Sequence, residues 1–136
     1  MNKKQKSLGF TLIESLVVVT MMMVIIAAAV GSYSAANKKN RDNKRMADLD
    51  RIRMALEMYR QNDATGEYPV ASGDQASGLV TTFLDAWPTD PKSTQNYYYI
   101  RPTAYTYELY ALLEISTGVT YANNCGGVCN YRVTNP

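Results

Sequence analysis

The strongest pattern in the chain is an apolar run from Phe10 to Val30, interrupted by only four polar residues: Thr11, Glu14, Ser15 and Thr20. About 20 apolar residues are enough to cross a bilayer as a helix. The run therefore predicts a transmembrane segment. Three lysines precede it, and basic residues favour the cytoplasmic side of a membrane, so we expect the N-terminus to stay inside. The lysines are Lys3, Lys4 and Lys6.

The helical pattern continues beyond this run. Residues 37–62 contain no Gly or Pro, and apolar side chains recur there every three or four residues, as on one face of a helix. They are Met46, Leu49, Ile52, Leu56 and Tyr59. These positions predict one helix from Phe10 to about Asn62, with a second half that needs a sheet to cover its apolar face. Gly31 costs about 1 kcal/mol within a helix but removes no hydrogen bond, so it marks either close packing or a local soft spot.

Turn-forming residues follow the helix. Gly66, Pro69 and Gly73 predict a loop from Asn62 to Gly78. Asp74 is a possible N-cap for a short helix. That helix would carry Leu79, Val80, Phe83 and Leu84. A rigid turn, Trp87 to Pro91, comes next.

The period then changes from 3.6 to 2, which is typical of strands. Two strands are predicted at Tyr97–Ile100 and Tyr105–Glu114, joined by a turn from Arg101 to Ala104. Two shorter strands are predicted at Val119–Ala122 and Asn130–Thr134. A long helix followed by antiparallel strands predicts an α+β fold.

Glu14 is the anomaly of the apolar run. A carboxylate inside a membrane span is costly, and such a residue is a candidate functional site by default. Its side chain must either reach the membrane interface or find a cation.

The lysine-rich leader, Gly9 and the segment Phe10-Thr11-Leu12-Ile13-Glu14 resemble the N-terminal signature of type IV pilins and of type II secretion pseudopilins. The resemblance implies that a prepilin peptidase cuts the Gly9–Phe10 bond and methylates the new N-terminus at Phe10. It also implies that Glu14 pairs with the N-terminal amine of a neighbouring subunit in a filament.

The resemblance extends more weakly to the head, through Tyr68-Pro69, Pro88-x-Asp90-Pro91 and the tyrosine-rich strands. It implies a pilin-like architecture, one long helix packed on a small antiparallel sheet. The expected divisions are a leader (1–9), a transmembrane and filament-core half-helix (10–30), an amphipathic half-helix (31–62) and a globular head (63–136).

These features predict a structural subunit of a type IV pilus-like surface filament. The precursor would span the cytoplasmic membrane once and then join an extracellular helical homo-oligomer, so prepilin peptidase and the pilus assembly machinery are expected partners. A pseudopilin is the alternative within the family. The sequence lacks any acid after Glu114, whereas the major pseudopilins carry an acid-rich calcium loop near the C-terminus, and this difference favours a pilus subunit.

Two readings from other classes stay open. A plain anchor would let Glu14 snorkel to the interface. A secretory signal cleaved near Ala27–Ala29 would release a secreted binding module.

The two cysteines, Cys125 and Cys129, are separated by three residues. A zinc site would need two further ligands, and the chain has no His. A redox-active pair usually has two intervening residues. A disulfide is favoured if this part lies outside the cytoplasm, although so short a loop stabilises the fold by only about 2 kcal/mol. Many pilins carry a C-terminal disulfide, usually around a longer loop.

Charge changes the picture at one place. Removing the leader takes three of the 14 basic residues and leaves 11 against 12 acidic ones, so the mature chain is not generally basic. The run from Lys38 to Arg45 holds five bases and one acid, which opposes the expected topology. It predicts a solvated helix face, a DNA or anionic-surface site, or a basic collar that meets the acidic heads of neighbouring subunits.

No catalytic constellation is present in the sequence, which has no His, nucleophile elbow or Gly-rich phosphate loop. We therefore expect no enzyme activity, no cofactor and no metal site.

Overall fold

A computed structural model describes residues 10–115 and 117–135. One helix, α1, runs from Leu12 to Asn62, and five short strands follow. They are β1 (Ala71–Ser72), β2 (Gln75–Ala76), β3 (Tyr98–Thr103), β4 (Thr106–Ala111) and β5 (Tyr131–Thr134). The predicted α+β architecture is confirmed, and α1 begins within two residues of the expected position. The chain divides into two units, with a boundary between Asn37 and Lys38.

The first unit holds the apolar part of α1. Its described side chains from Phe10 to Ala36 are all exposed. The most apolar 18-residue window of α1 has a mean hydropathy of 2.5, which by length and composition is sufficient to cross a membrane. Gly31 lies within the helix, and a Cβ built there would meet no atom of the described chain within 4 Å. The described residues therefore supply no close packing that would explain this glycine.

The second unit is built around the other half of α1. Leu49, Ile52 and Leu56 have no exposed surface and pack in one core with Tyr99 and Leu109 of the sheet. Met46 and Tyr59 are half-buried. The predicted apolar face and its packing against a sheet are therefore confirmed.

The main sheet has the strand order β3-β4-β5, with both pairs antiparallel. Tyr99 lies opposite Leu109, and Leu109 lies opposite Val133. The register shifts between Ile100 and Thr103, where Pro102 cannot donate a ladder hydrogen bond. One face of the sheet covers the part of α1 that lies in the second unit, and the other packs Tyr110 against the two cysteines.

The predicted short helix after Asp74 is wrong. Residues 71–76 form the β1–β2 hairpin, and the following segment consists of turns and an isolated bridge between Val80 and Leu84. Gly73 and Gly78 have φ angles of 62° and 71°, which glycine adopts without the steric cost of a side chain. These left-handed positions turn the chain where a helix would have to continue.

Two strand predictions also need correction. β3 continues through Arg101 and Pro102 to Thr103, so the turn into β4 is confined to Ala104 and Tyr105. Residues 119–122 lie outside the strands, whereas β5 forms at the last predicted strand.

Candidate functional site

The two residues predicted to act in filament assembly lie at or next to the start of α1, and both are on the surface. Phe10 is 79% exposed, and Glu14 is exposed in the first turn of α1. Gly9 and the three leader lysines lie outside the described residues.

Thr11 caps this helix. Its side-chain Oγ1 accepts a hydrogen bond from the Glu14 N–H at 3.3 Å, and its carbonyl oxygen accepts from the same N–H at 3.1 Å. A Thr followed three residues later by Glu is the capping-box spacing. The sequence contains this capping-box spacing, but the prediction for Glu14 considered only its costly carboxylate inside a membrane span.

The cap uses the backbone N–H of Glu14 and not its carboxylate. Across residues 10–115 and 117–135, no group donates a hydrogen bond to that carboxylate or forms an ion pair with it. The surrounding side chains are apolar and exposed, among them Leu12, Ile13 and Val17. In an apolar medium such a carboxylate needs a cation, and a single copy of the described chain supplies none.

The basic run from Lys38 to Arg45 on α1 is not the fully solvated helix face that was expected. The Arg45 side chain has no exposed surface and donates five hydrogen bonds. Its Nε and Nη2 form a fork onto the Asp90 carboxylate at 2.7 and 2.9 Å. Nη1 reaches Asp42 at 2.7 Å and Glu114 at 3.3 Å, and Nη2 also reaches Gln95 at 2.8 Å.

Arg41 and Lys92 complete this group, which we call the Arg45 cluster: Arg41, Asp42, Arg45, Asp90, Lys92, Gln95 and Glu114. Arg41 binds both oxygens of Glu114, at 2.5 and 2.8 Å, and Lys92 lies 2.9 Å from the same carboxylate. The Arg41 guanidinium holds the pKa of Glu114 well below its usual range. The Asp90 carboxylate in turn raises the pKa of Arg45 above its usual value.

Asp42 ties the segment that follows β4 to α1. Its carboxylate oxygens accept from the backbone N–H groups of Glu114 and Ile115, both at 2.9 Å. The expectation of a solvated face is therefore wrong for Arg45, and Arg41 and Arg45 meet acids of their own unit. The exposed bases left in this run are Lys38, Lys39 and Lys44.

The structure joins Cys125 and Cys129 by a disulfide with a Cα–Cα distance of 5.4 Å. Both cysteines are fully buried and pack against Tyr110. Gly126 has a φ of 78°, and a Cβ built there would lie 2.0 Å from the Thr94 carbonyl oxygen. The ring is thus packed tightly onto a neighbouring loop of the same unit. No group of three or more His, Cys, Asp or Glu side chains suited to a metal occurs among the described residues.

Residues 4–30 match the family model described as the prokaryotic N-terminal methylation motif. The match covers most of the lysine-rich leader, Gly9 and the apolar part of α1. No curated protein and no solved structure matches the chain. The motif and the apolar helix together fit a membrane-anchored precursor.

Proposed function

We propose that this chain, which carries the class III leader of a type IV pilin-like protein, is a structural subunit of a type IV pilus-like surface filament. The match to the methylation motif over residues 4–30 carries the proposal. Proteins with this motif form a structural, non-enzymatic class within the pilin and pseudopilin family.

Processing would occur at the Gly9–Phe10 bond. A prepilin peptidase would remove residues 1–9 and methylate the Phe10 amine. In the precursor the nitrogen of Phe10 is part of a peptide bond and carries no charge. Cleavage therefore creates a cation next to the apolar run, and this is the kind of partner that the free Glu14 carboxylate needs.

Assembly would bring the Glu14 carboxylate of one subunit to the Phe10 amine of its neighbour. Both charges would then be desolvated between apolar helices. Removing one member of a buried ion pair costs about 3–5 kcal/mol, because the other is left unpaired. The free carboxylate in the described chain supports this pairing between subunits.

Residues 10–30 would hold the precursor in the cytoplasmic membrane and later form the filament core. Residues 31–62 would support the head, and residues 63–136 would form it on the outer side. The disulfide supports an extracytoplasmic head, since such bonds persist in oxidising compartments. The pilus assembly machinery would transfer the subunit from the membrane into a homo-oligomeric filament.

A pseudopilin of a type II secretion system is the second candidate. The turn from Pro88 to Pro91 is the feature that favours it, through the Pro-x-Asp-Pro pattern shared with the major pseudopilins. The two candidates differ in location, because a pilus subunit is recovered in sheared surface filaments of wild-type cells.

The test compares Glu14→Val with Thr11→Ala. Glu14→Val removes the carboxylate but keeps the backbone N–H that Thr11 caps, so it should insert in the membrane and fail to assemble. Thr11→Ala removes the side-chain cap, which costs about 1 kcal/mol, but keeps the carboxylate. It should therefore assemble. Glu14→Gln keeps shape and some hydrogen bonding without charge, and should fall between Glu14→Val and wild type.

The measurement is the ratio of filament-borne to membrane-borne protein, with the intact mass of each fraction. Loss of Met1 to Gly9 with one added methyl group is expected. Equal assembly defects in Thr11→Ala and Glu14→Val would instead show that Glu14 acts by stabilising the start of the helix. A wild-type ratio in Glu14→Val would refute the pairing, and a new N-terminus near Val30 would establish a secretory signal.

A further inference from the structure

A concave pocket of about 500 Å³ lies in the second unit. Three segments line it: the β1–β2 hairpin turn, the turn from Trp87 to Pro91, and the approach to β3. The side chains used in the argument below are Asp74, Gln75, Trp87, Thr89, Ser93 and Asn96. Pockets of this size that combine an apolar surface with a few convergent polar groups are the usual form of a small-ligand site.

The apolar surface of the pocket consists of the indole of Trp87 and the rings of Pro88 and Pro91. The Trp87 side chain is half-buried, so its ring is held by the protein while part of it faces the pocket. The other aromatic residue of the lining, Tyr97, is only 1% exposed, and its hydroxyl donates to Asp48 at 2.9 Å. A ligand would therefore meet a single aromatic surface.

The polar groups of the lining are largely unused. The Asp74 carboxylate accepts one hydrogen bond, from the Asn96 Nδ2 at 2.7 Å. Throughout the described ranges, the side chains of Gln75, Thr89 and Ser93 have no hydrogen-bond partner within the chain, and nor does the Trp87 indole N–H. The pocket thus presents donors and acceptors side by side around one aromatic ring.

The charge of the pocket disfavours an anionic ligand. The Asp90 carboxylate also borders it but is bound to Arg45 and to the Lys92 N–H. Asp74 has no cationic partner within the described chain. Lys92, the nearest base in sequence, lies 2.9 Å from Glu114.

The lining is held in place by backbone contacts. The Asp74 carbonyl oxygen accepts from the Tyr99 N–H at 3.0 Å, and the Asn96 N–H donates to the Cys125 carbonyl oxygen at 3.2 Å. Arg45 also fixes the segment from Asp90 to Gln95, because its guanidinium donates to the side chains of both residues. A site organised before binding loses less conformational entropy when a ligand enters.

We propose that this pocket binds one neutral pyranose unit of a glycan. A pyranose ring has an apolar C–H face that can stack on an indole, and its rim of hydroxyl groups can both donate and accept hydrogen bonds. This combination matches one aromatic ring surrounded by a carboxylate, amides and hydroxyls. A purely apolar ligand would leave those groups unpaired, which is costly. A quaternary ammonium ligand is typically held by a cage of several aromatic rings.

The chain has one tryptophan, and it lies in the proposed site, so its fluorescence reports binding directly. The full-length chain is kept in a zwitterionic detergent without a sugar head group. It is titrated with the methyl glycosides of glucose, galactose, mannose, N-acetylglucosamine and N-acetylgalactosamine, and with sialic acid and choline as contrasts. A saturable change in emission is expected with at least one neutral sugar, and none with sialic acid.

Asp74→Ala should weaken this binding about tenfold or more, the loss expected for one charge-assisted hydrogen bond. Asp85→Ala removes an exposed carboxylate outside the pocket and should leave the affinity unchanged. Trp87→Ala, followed by calorimetry, should abolish binding. If that variant does not fold, Gln75→Ala is tested in its place. This change replaces an exposed side chain of the lining and should weaken binding, because a hydrogen bond to the sugar is lost.

The proposal is overturned if none of the neutral sugars gives a saturable response. It is also overturned if Asp74→Ala and Asp85→Ala bind equally well, or if sialic acid or choline binds as tightly as the best neutral sugar. The measurement uses the precursor and does not require filament assembly, so its outcome is independent of the proposed filament function.

Discussion

Replacing Arg45 tests whether the Arg45 cluster stabilises the second unit. Arg45→Met keeps an apolar stem of similar length but removes the guanidinium and its five hydrogen bonds. The side chains of Asp90 and Asp42, which are only 1% and 5% exposed, would lose their cation. Backbone N–H groups would still bond to both carboxylates, so the loss would be partial.

The expected cost is that of breaking a buried ion pair, about 3–5 kcal/mol. The five hydrogen bonds cannot be added separately, because they share one charge. Domains are stable by only about 5–15 kcal/mol. For a domain of about 100 residues, each 1 kcal/mol shifts the Tm by about 4–8 °C. Arg45→Met should therefore lower the Tm by about 12 °C or more.

The assay is thermal unfolding of the full-length chain in detergent at pH 7, followed by the near-ultraviolet circular dichroism of the buried tyrosines. Arg51→Met is the matched control, because Arg51 is an exposed arginine of the same helix. It should change the free energy of unfolding by about 0.5 kcal/mol or less. Arg45→Lys keeps a positive charge but lacks the fork that matches Asp90, so its Tm should lie between those of Arg45→Met and wild type.

A Tm for Arg45→Met equal to that of Arg51→Met would refute the stabilising role of the cluster. A double variant, Arg45→Met with Asp90→Asn, provides a second check. Removing the stranded charge of Asp90 should recover part of the lost stability, and strictly additive effects of the two changes would show that the residues are not coupled.

Three further predictions concern the same unit. Arg41 depresses the pKa of Glu114 in the folded protein. The ionised Glu114 therefore stabilises the fold above the ordinary glutamate pKa of about 4.3, and this stabilisation is lost as the pH falls below about 4.3. The free energy of unfolding of Glu114→Gln should therefore depend less on pH between about 5 and 3, and equal slopes would contradict this. Burial raises the pKa of Tyr97. Its contribution to the stability of the fold is therefore present below about pH 10 and is lost as the pH rises further. Absorbance titration should show its ionisation only together with unfolding, and ionisation of every tyrosine near pH 10 in folded protein would rule this out. Gly126→Ala should destabilise the unit by about 2 kcal/mol or more, since the new Cβ would lie 2.0 Å from a carbonyl oxygen. Gly66→Ala has a similar φ but open space, and an equal urea midpoint shift in both variants would disprove the clash.

Local patterns were sufficient for the long elements. The three- and four-residue spacing of Leu49, Ile52 and Leu56 predicted the buried face of α1, and the alternation along the tyrosine-rich segment predicted β4. Both signals arise from the geometry of the element itself, since side chains repeat every 3.6 residues on a helix and every two on a strand. The motif around Glu14 is also local, and the match over residues 4–30 bears out the resemblance.

The segment from Ala71 to Leu84 shows where local signals were ambiguous. Asp74 has the composition of a helix cap, but the structure places it in a hairpin turn. Its carbonyl oxygen and carboxylate bond to the Tyr99 N–H and the Asn96 side chain, which lie more than 20 residues further along. A cap and a turn use the same residue types, so long-range contacts decided between them.

The sequence by itself determined the long helix, the antiparallel strands and the position of an isolated carboxylate in the apolar run, because each depends on residues only a few positions apart. Only the tertiary structure decided which side chains surround Arg45 and Trp87. The acids that bind Arg45 include Asp90, 45 positions away, and Glu114, 69 positions away. The Trp87 pocket likewise combines three separate segments. A charge run looks the same in the sequence whether it is solvated or buried, and only folding brings its partners within hydrogen-bond distance.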